Sequence, residues 1–449
     1  MKNKVSLELF LKYSMVLSII LTGATMYGVL ESLNNYGINS FTFTILSLST
    51  ILMLDIYYII KRQPKTRPFK IMMVVCVYFA IYLLATRYSI TTAIGNMCIP
   101  ILLFLLLTCF ERPDKLFADF FNIYEKIIYF LACMSLFFYV AGVCLHVIPS
   151  FNAGFANNGW IYRCDNYFFL HFVNEWQKIQ IGGTTIYRNI GIFMEGPGYA
   201  GPLLWAFWWE LFGHSKYSLK RITVFAITLA TTFSTKAYAF SVILLFMFAY
   251  SRTLKKAKLW KKIRMALLPI MITATGAGVS YVLWKKIMET SSLGATSWEI
   301  RVADYNAAFR TWISHPVFGV GFYNLEELYT YLPGLMKGDP TAGILNILAY
   351  GGVFMFLGNV LAIGRYYYIM RNTEYRDLMK SFLALLLLLL FTSSMQYSFL
   401  YFFVVSIGLV MPKRKISFLN TDREEEMCYR PRSVEKSGNH ASKVCVNDI

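Results

Sequence analysis

The chain alternates apolar runs with short polar loops. About 20 consecutive apolar residues cross a bilayer as one helix, and runs of this kind occur at 12–30, 41–60, 69–86, 88–110, 124–148, 198–213, 263–283 and 341–363. Two further apolar regions, 222–250 and 381–411, are each about 30 residues long, which is long for one helix and short for two full crossings. Their flanks decide. Lys216, Lys220 and Arg221 precede the first region, and Lys255, Lys256, Lys258, Lys261, Lys262 and Arg264 follow it. Arg365, Arg371, Arg376 and Lys380 precede the second, and Lys413, Arg414 and Lys415 follow it. Basic loops stay in the cytoplasm, so each region must go in and come back. The second is expected to turn at Thr392-Ser393-Ser394-Met395-Gln396.

Counted as pairs, these regions bring the total to about twelve crossings. The pattern predicts an all-α, polytopic integral membrane protein with residues 1–415 as the transmembrane domain. The basic loops 61–70 and 251–264 then lie inside, and loop 31–40, without Lys or Arg, lies outside. The long polar segments 149–195 and 284–340 become two large external loops, and both termini are cytoplasmic. Residues 416–449 are polar and mixed in charge, with little apolar periodicity, and are expected to be a disordered tail. The first apolar run lacks a small-residue cleavage pattern, so no cleavable leader is expected.

Composition agrees. Of 449 residues, 57% are hydrophobic and only 15% are charged, against about 25% charged in ordinary soluble domains. The net charge of +18 would suggest nucleic acid in a soluble protein. Here the cations sit in loops between apolar runs and no basic folded module remains, so no nucleic-acid partner is expected. Cys76, Cys98, Cys109, Cys133 and Cys144 lie in apolar runs, Cys164 in the first external loop, and Cys428 and Cys445 in the tail. No CxxC or Cys/His metal spacing occurs, and neither a metal nor a cofactor is expected.

Chemistry is sought where charge stands without a structural reason. Ionisable residues inside spans are costly and rare. Asp55 and Glu210 read as carboxylates near the cytoplasmic surface, and no span carries the ladder of acids of an ion-coupled pump. Lys236 falls at the outer turn of the pair 222–250, either snorkelling to headgroups or meeting an anion beside free backbone groups. The first external loop ends Arg188-Asn-Ile-Gly-Ile-Phe-Met-Glu195-Gly-Pro-Gly. Its arginine suits phosphate oxygens, and its glutamate suits removal of a proton from a hydroxyl. An Arg–Glu pair that pins the loop is the plainer alternative. The aromatic side chains of this loop, among them Trp160, Tyr162, Tyr167, Phe172 and Trp176, form either an interfacial belt or a platform for sugars. In the second loop Arg301, Asp304, Ala308 and Trp312 recur at helical spacing, which predicts an amphipathic helix over 298–313 carrying Arg301 and Arg310. His315-Pro316 ends it, with His315 a turn residue or a base. Gly319 and Gly321 suit a tight turn or a close backbone approach.

Taken together, Arg188…Gly-Ile-Phe-x-Glu-x-Pro, the Ser-Thr-Lys-Ala-Tyr turn at Lys236, Arg310…His-Pro-x-x-Gly-x-Gly and Tyr350-Gly351-Gly352 resemble the O-antigen polymerase and ligase superfamily. The likeness covers about 185–365 and is greatest to Wzy-type polymerases of O-antigen and capsule synthesis. It implies a GT-C-like, metal-independent glycosyltransferase of the bacterial cytoplasmic (inner) membrane. Such an enzyme joins undecaprenyl-diphosphate-linked oligosaccharide repeat units at the outer face, with a polysaccharide chain-length regulator as a further partner. The resemblance assigns diphosphate binding to Arg188, Lys236, Arg301 and Arg310, the latter eleven positions before Gly321. It makes Glu195 the base, with His315 second. Ligases carry a histidine where the large loop meets the next span, whereas here no histidine lies between His315 and His440. The alternatives are an O-antigen ligase or a lipid-linked oligosaccharide flippase. A flippase would place its charges along a cavity within the spans. An acyltransferase-like enzyme would need an intramembrane His–Asp or His–Glu pair, and none stands out in the sequence.

A topology reporter fused at residue 320 is expected to report the external side. A cytoplasmic signal there overturns the orientation.

Overall fold

The computed structural model describes residues 6–86, 90–157, 160–181, 184–252, 297–332, 342–370 and 375–411. The expected span at 263–283, the basic loop beyond Arg252, the ends of the second large loop and the tail lie outside the described residues. The structure is mostly helical. We label the longer helices α1 Leu7–Leu21, α2 Ser40–Lys61, α3 Thr66–Thr86, α4 Ile90–Phe110 and α5 Pro113–Cys144. After the first large loop come α6 Gly196–Phe212, α7 Leu219–Thr231, α8 Thr235–Arg252, α9 Ser297–Ser314, α10 Gly343–Met370, α11 Arg376–Thr392 and α12 Phe399–Val410. Among the described residues five helices, α2 to α5 and α10, are long and apolar enough to cross a membrane. Their outward side chains, such as Ile60, Val74 and Leu84, are strongly exposed, as a lipid-facing surface requires and a watery one does not.

Both expected helix pairs break where the flanking charges predict. α7 and α8 are separated by Thr232-Phe233-Ser234, and α11 and α12 by residues 393–398. Two helices differ from expectation. The first apolar run is helical only to Leu21, after which Gly23 and Ala24 (φ 46°) turn the chain away. α5 starts at Pro113, about ten residues early, because Asp114, Asp119 and Glu125 in its first half find cationic partners.

Those pairs mark one end of the bundle. Lys12 Nζ lies 2.7 Å from Asp119 and 2.9 Å from Glu8. Arg62 pairs with Glu111, and Arg112 with Asp114 at 2.5 Å. These residues stand at the start of α1, the end of α2, just after α4 and at the start of α5. The opposite end carries the close of α5, the start of α6 and the α7–α8 turn.

At that second end the all-α expectation gives way. Residues 149–195 build β1 Phe151–Asn157, β2 Trp160–Tyr167 and β3 His171–Asn174 in one antiparallel sheet, and a hairpin of β4 Lys178–Ile181 and β5 Thr184–Tyr187. The cause is packing: Phe155, Cys164, Phe172 and Ile190 close over Met26 and Leu30 as a small separate core. The loop aromatics divide between core and surface, with Phe172 and Tyr167 buried and Phe168 and Trp176 exposed. Bridges Thr25–Phe193 and Leu30–Phe155 sew this unit to the loop after α1.

α10 is broken at Gly352, whose backbone (φ 61°, ψ −168°) is a conformation essentially reserved for glycine. The freed groups find new partners in the segment after α9. Val353 N donates to Pro316 O (2.9 Å) and Phe354 N to Val317 O (2.9 Å). Val320 N donates to Ala349 O (3.0 Å) and Gly321 N to Tyr350 O (3.2 Å). Tyr82 and Tyr78 of α3 donate to the carbonyls of Tyr350 (2.6 Å) and Phe354 (2.5 Å). Gly319 (φ 66°) lies so close that a Cβ there would stand 2.5 Å from the Tyr350 carbonyl carbon. The close backbone approach expected of the two glycines is thus made against a broken helix.

Gly319→Ala is expected to lose on the order of 3 kcal/mol, from left-handed strain plus the clash. Gly364→Ala in α10, with nothing within 4 Å of its added methyl, should be neutral. Thermal denaturation of the detergent-solubilised variants checks both.

Candidate functional site at the α7–α8 turn

The segment Arg188 to Glu195 is held on both sides by backbone hydrogen bonds. Arg188 N donates to Gln177 O (2.9 Å), Asn189 N to Thr231 O (2.9 Å) and Met194 N to Ala24 O (3.1 Å). Asn189 is fully buried, and its amide nitrogen donates to Thr231 Oγ1 (3.0 Å) and Ser135 Oγ (3.3 Å). The strands, α5 and the end of α7 therefore fix Arg188 jointly.

Gly196, the first residue of α6, packs tightly into the same place. A Cβ there would stand 2.6 Å from Thr232 O and 3.4 Å from Arg188 Cδ. The Arg188 stem thus lies over the start of α6, against the α7–α8 turn. Its charge is felt at the Tyr238 hydroxyl, two residues beyond Lys236 in the first turns of α8. Glu195 is exposed and immediately precedes α6, and its side chain makes no capping hydrogen bond. The structure therefore gathers Arg188, Glu195 and the turn carrying Lys236, beside the N-terminal ends of α6 and α8. Helix N-termini carry partial positive charge and free N–H groups, so an anion is favoured here and a carboxylate lies at its edge.

The remaining candidates lie elsewhere. Arg301 donates through Nη1 to Thr392 O (3.3 Å), and Tyr305 donates to Phe391 O, which fastens α9 to the α11–α12 turn. Arg310 is exposed. Nine residues of helix turn a side chain to the opposite side and carry it about 13 Å along, so Arg301 and Arg310 cannot grip one phosphate pair together. His315 is exposed, its Nδ1 is 3.0 Å from Ser314 Oγ, and its carbonyl accepts from Gly319 N (3.0 Å). It closes α9 as a turn residue.

Two acids read as near-surface groups prove buried. Asp55 is fully enclosed, with neither carboxylate oxygen hydrogen-bonded. Glu210 belongs to a four-residue cluster at the ion-paired end. Glu125 lies 2.8 Å from His214 Nε2 and 2.9 Å from Arg221 Nη1, which is 3.5 Å from Glu210. This supplies a His–Glu pair that the sequence did not reveal, because 89 residues separate the partners. Ligand atoms of Glu125, Glu210 and His214 lie within 4.8 Å of one another, as a metal would need, but Arg221 already provides the cation. A further residue missed in the sequence is His171, fully buried between Tyr139 and Tyr167, with neither ring nitrogen hydrogen-bonded.

No family model and no curated protein matches the chain.

Burial pushes the His171 pKa down to about 3 from 6.5. The unfolded strand unit then binds a proton that the folded one refuses. His171 should therefore weaken the unit progressively as pH falls from about 6.5 toward 3, with its stability complete above 6.5. Limited proteolysis of the 150–190 region across this range should show the loss, and His171→Gln should flatten the dependence.

Proposed function

We propose that the chain is a polysaccharide polymerase that joins undecaprenyl-diphosphate-linked repeat units at the outer face of the bacterial cytoplasmic membrane, through about twelve crossings of GT-C-like arrangement. The observation that carries this reading is the convergence of Arg188 and the Lys236 turn on the first residue of α6, with Glu195 at the edge. Loss of a diphosphate leaving group builds negative charge, and fixed cations beside helix N-termini stabilise that charge more in the transition state than in the ground state. Glu195, exposed next to them, takes the proton of the acceptor hydroxyl. Arg301 acts by fastening α9, and Arg310, on the outer side of that helix, faces a separate part of the lipid-linked substrate.

The orientation is supported by the chemical contrast between the two ends: ion pairs gather at the end assigned to the cytoplasm. The cavity between α3, α4, α10 and α12 has no charged residue in its wall, which does not suit passage of a diphosphate-linked cargo between those helices.

Surface polysaccharide on a gel tests the proposal. Cells lacking the gene should show single repeat units in place of a ladder. Wild type should restore the ladder, and Arg188→Ala should restore less than about one hundredth of it, the loss of one transition-state charge contact. Glu195→Gln should fail likewise. An unchanged ladder in the deletion strain rejects the function; an unchanged ladder with Glu195→Gln rejects only the base. Loss of surface glycan with full-length polymer still on its lipid carrier would mean a ligase.

A further inference from the structure

We propose that a slot beside the break in α10 binds a long-chain lipid alcohol, its hydroxyl held between Gln396 and Tyr397. The slot runs between α3, α4, α10 and α12, and its volume is about 220 Å³. An apolar cavity of about 150 Å³ already takes up small hydrocarbons. Its wall is mainly aliphatic and aromatic, with the amides of Asn346, Asn359 and Gln396, and includes no Asp, Glu, Lys, Arg or His. Val74 and Leu361, both in that wall, are about two-thirds exposed on the outside of the bundle (68% and 69%). The slot therefore opens sideways between α3 and α10, where a bilayer would lie.

Its far end is polar. Gln396 is 4% exposed, and neither its amide oxygen nor its amide nitrogen makes a hydrogen bond. The neighbouring Tyr397 hydroxyl is also buried, close to the Gln396 amide and the Tyr350 hydroxyl but in well-formed hydrogen-bond geometry with neither. A buried amide left this way is costly. Its oxygen takes a donor and its nitrogen an acceptor, so a single group that answers both must offer both. A hydroxyl does; an ester or a hydrocarbon does not. A diphosphate is excluded by the lack of any cation in the wall. This site is therefore distinct from the Arg188 cluster, and it rests on the helices lying in a bilayer rather than on the polymerase reading.

The full-length protein in phospholipid nanodiscs would be irradiated with a diazirine-bearing dodecanol, or with the same chain lacking the hydroxyl, and labelled peptides read by mass spectrometry. We expect the alcohol to label wall residues such as Met355 and Val405, in competition with plain dodecanol, and about tenfold more than the hydrocarbon probe does. Gln396→Leu, which removes only unbonded polar atoms, should keep its thermal stability and reduce alcohol labelling to the hydrocarbon level. Val405→Phe should reduce both. Equal labelling by the two probes in the wild type, which needs no variant, would make the slot an ordinary lipid-facing groove. Undiminished alcohol labelling in Gln396→Leu overturns the role of the amide, and absence of wall labelling shows a water-filled or closed slot; both overturn the proposal.

Discussion

Backbone amides and carbonyls in an apolar bundle must be paired within the protein, and this chain meets that requirement most sharply at Gly352. Breaking a long helix there frees groups on both sides of the break. They are recovered by Pro316, Val317, Val320 and Gly321 from one direction and by Tyr82 from another. The segment after α9 is thereby stitched into the helical core rather than lying loosely over it. The placement of α9, the contact of Arg301 with the α11–α12 turn, and the slot lined by Tyr350 and Gly351 all follow from that repair.

A second constraint shapes the opposite end. Six acids, Glu8, Glu111, Asp114, Asp119, Glu125 and Glu210, are held there by Lys12, Arg62, Arg112 and Arg221. Removing one partner of such a buried pair is far more damaging than never having had the pair. The arrangement serves as a register for helix ends. The excess of basic residues in the loops is thus partly spoken for by carboxylates.

Much of the architecture was legible in the sequence because it rests on local periodicity and charge. The breaks at 232–234 and 393–398 follow from apolar regions with basic flanks on both sides, and α9 follows from Arg301, Asp304, Ala308 and Trp312. The strands of 151–187 were hidden because their aromatic residues have two other good explanations at a membrane surface, and the choice is made by contacts with Met26 and Leu30, more than 120 positions away. The candidate site was half legible. Arg188 and Glu195 share a short segment, but their meeting with the Lys236 turn depends on Asn189 and Thr231. The resemblance gave Arg301 and Arg310 one role, whereas helical spacing puts them on opposite sides of α9. Glu125 with His214 carries no local signal at all.

The bridges that join Thr25 to Phe193 and Leu30 to Phe155 bear on how the protein is made. At about 5–20 residues per second of synthesis, the partner of Thr25 emerges on the order of ten seconds after Thr25 itself. For that interval the loop after α1 has donors and acceptors with nothing to bind, although the first helices have already been made. The first hairpin is therefore finished late, by a strand unit that arrives after five helices, and assembly of this end of the bundle cannot follow the order of synthesis.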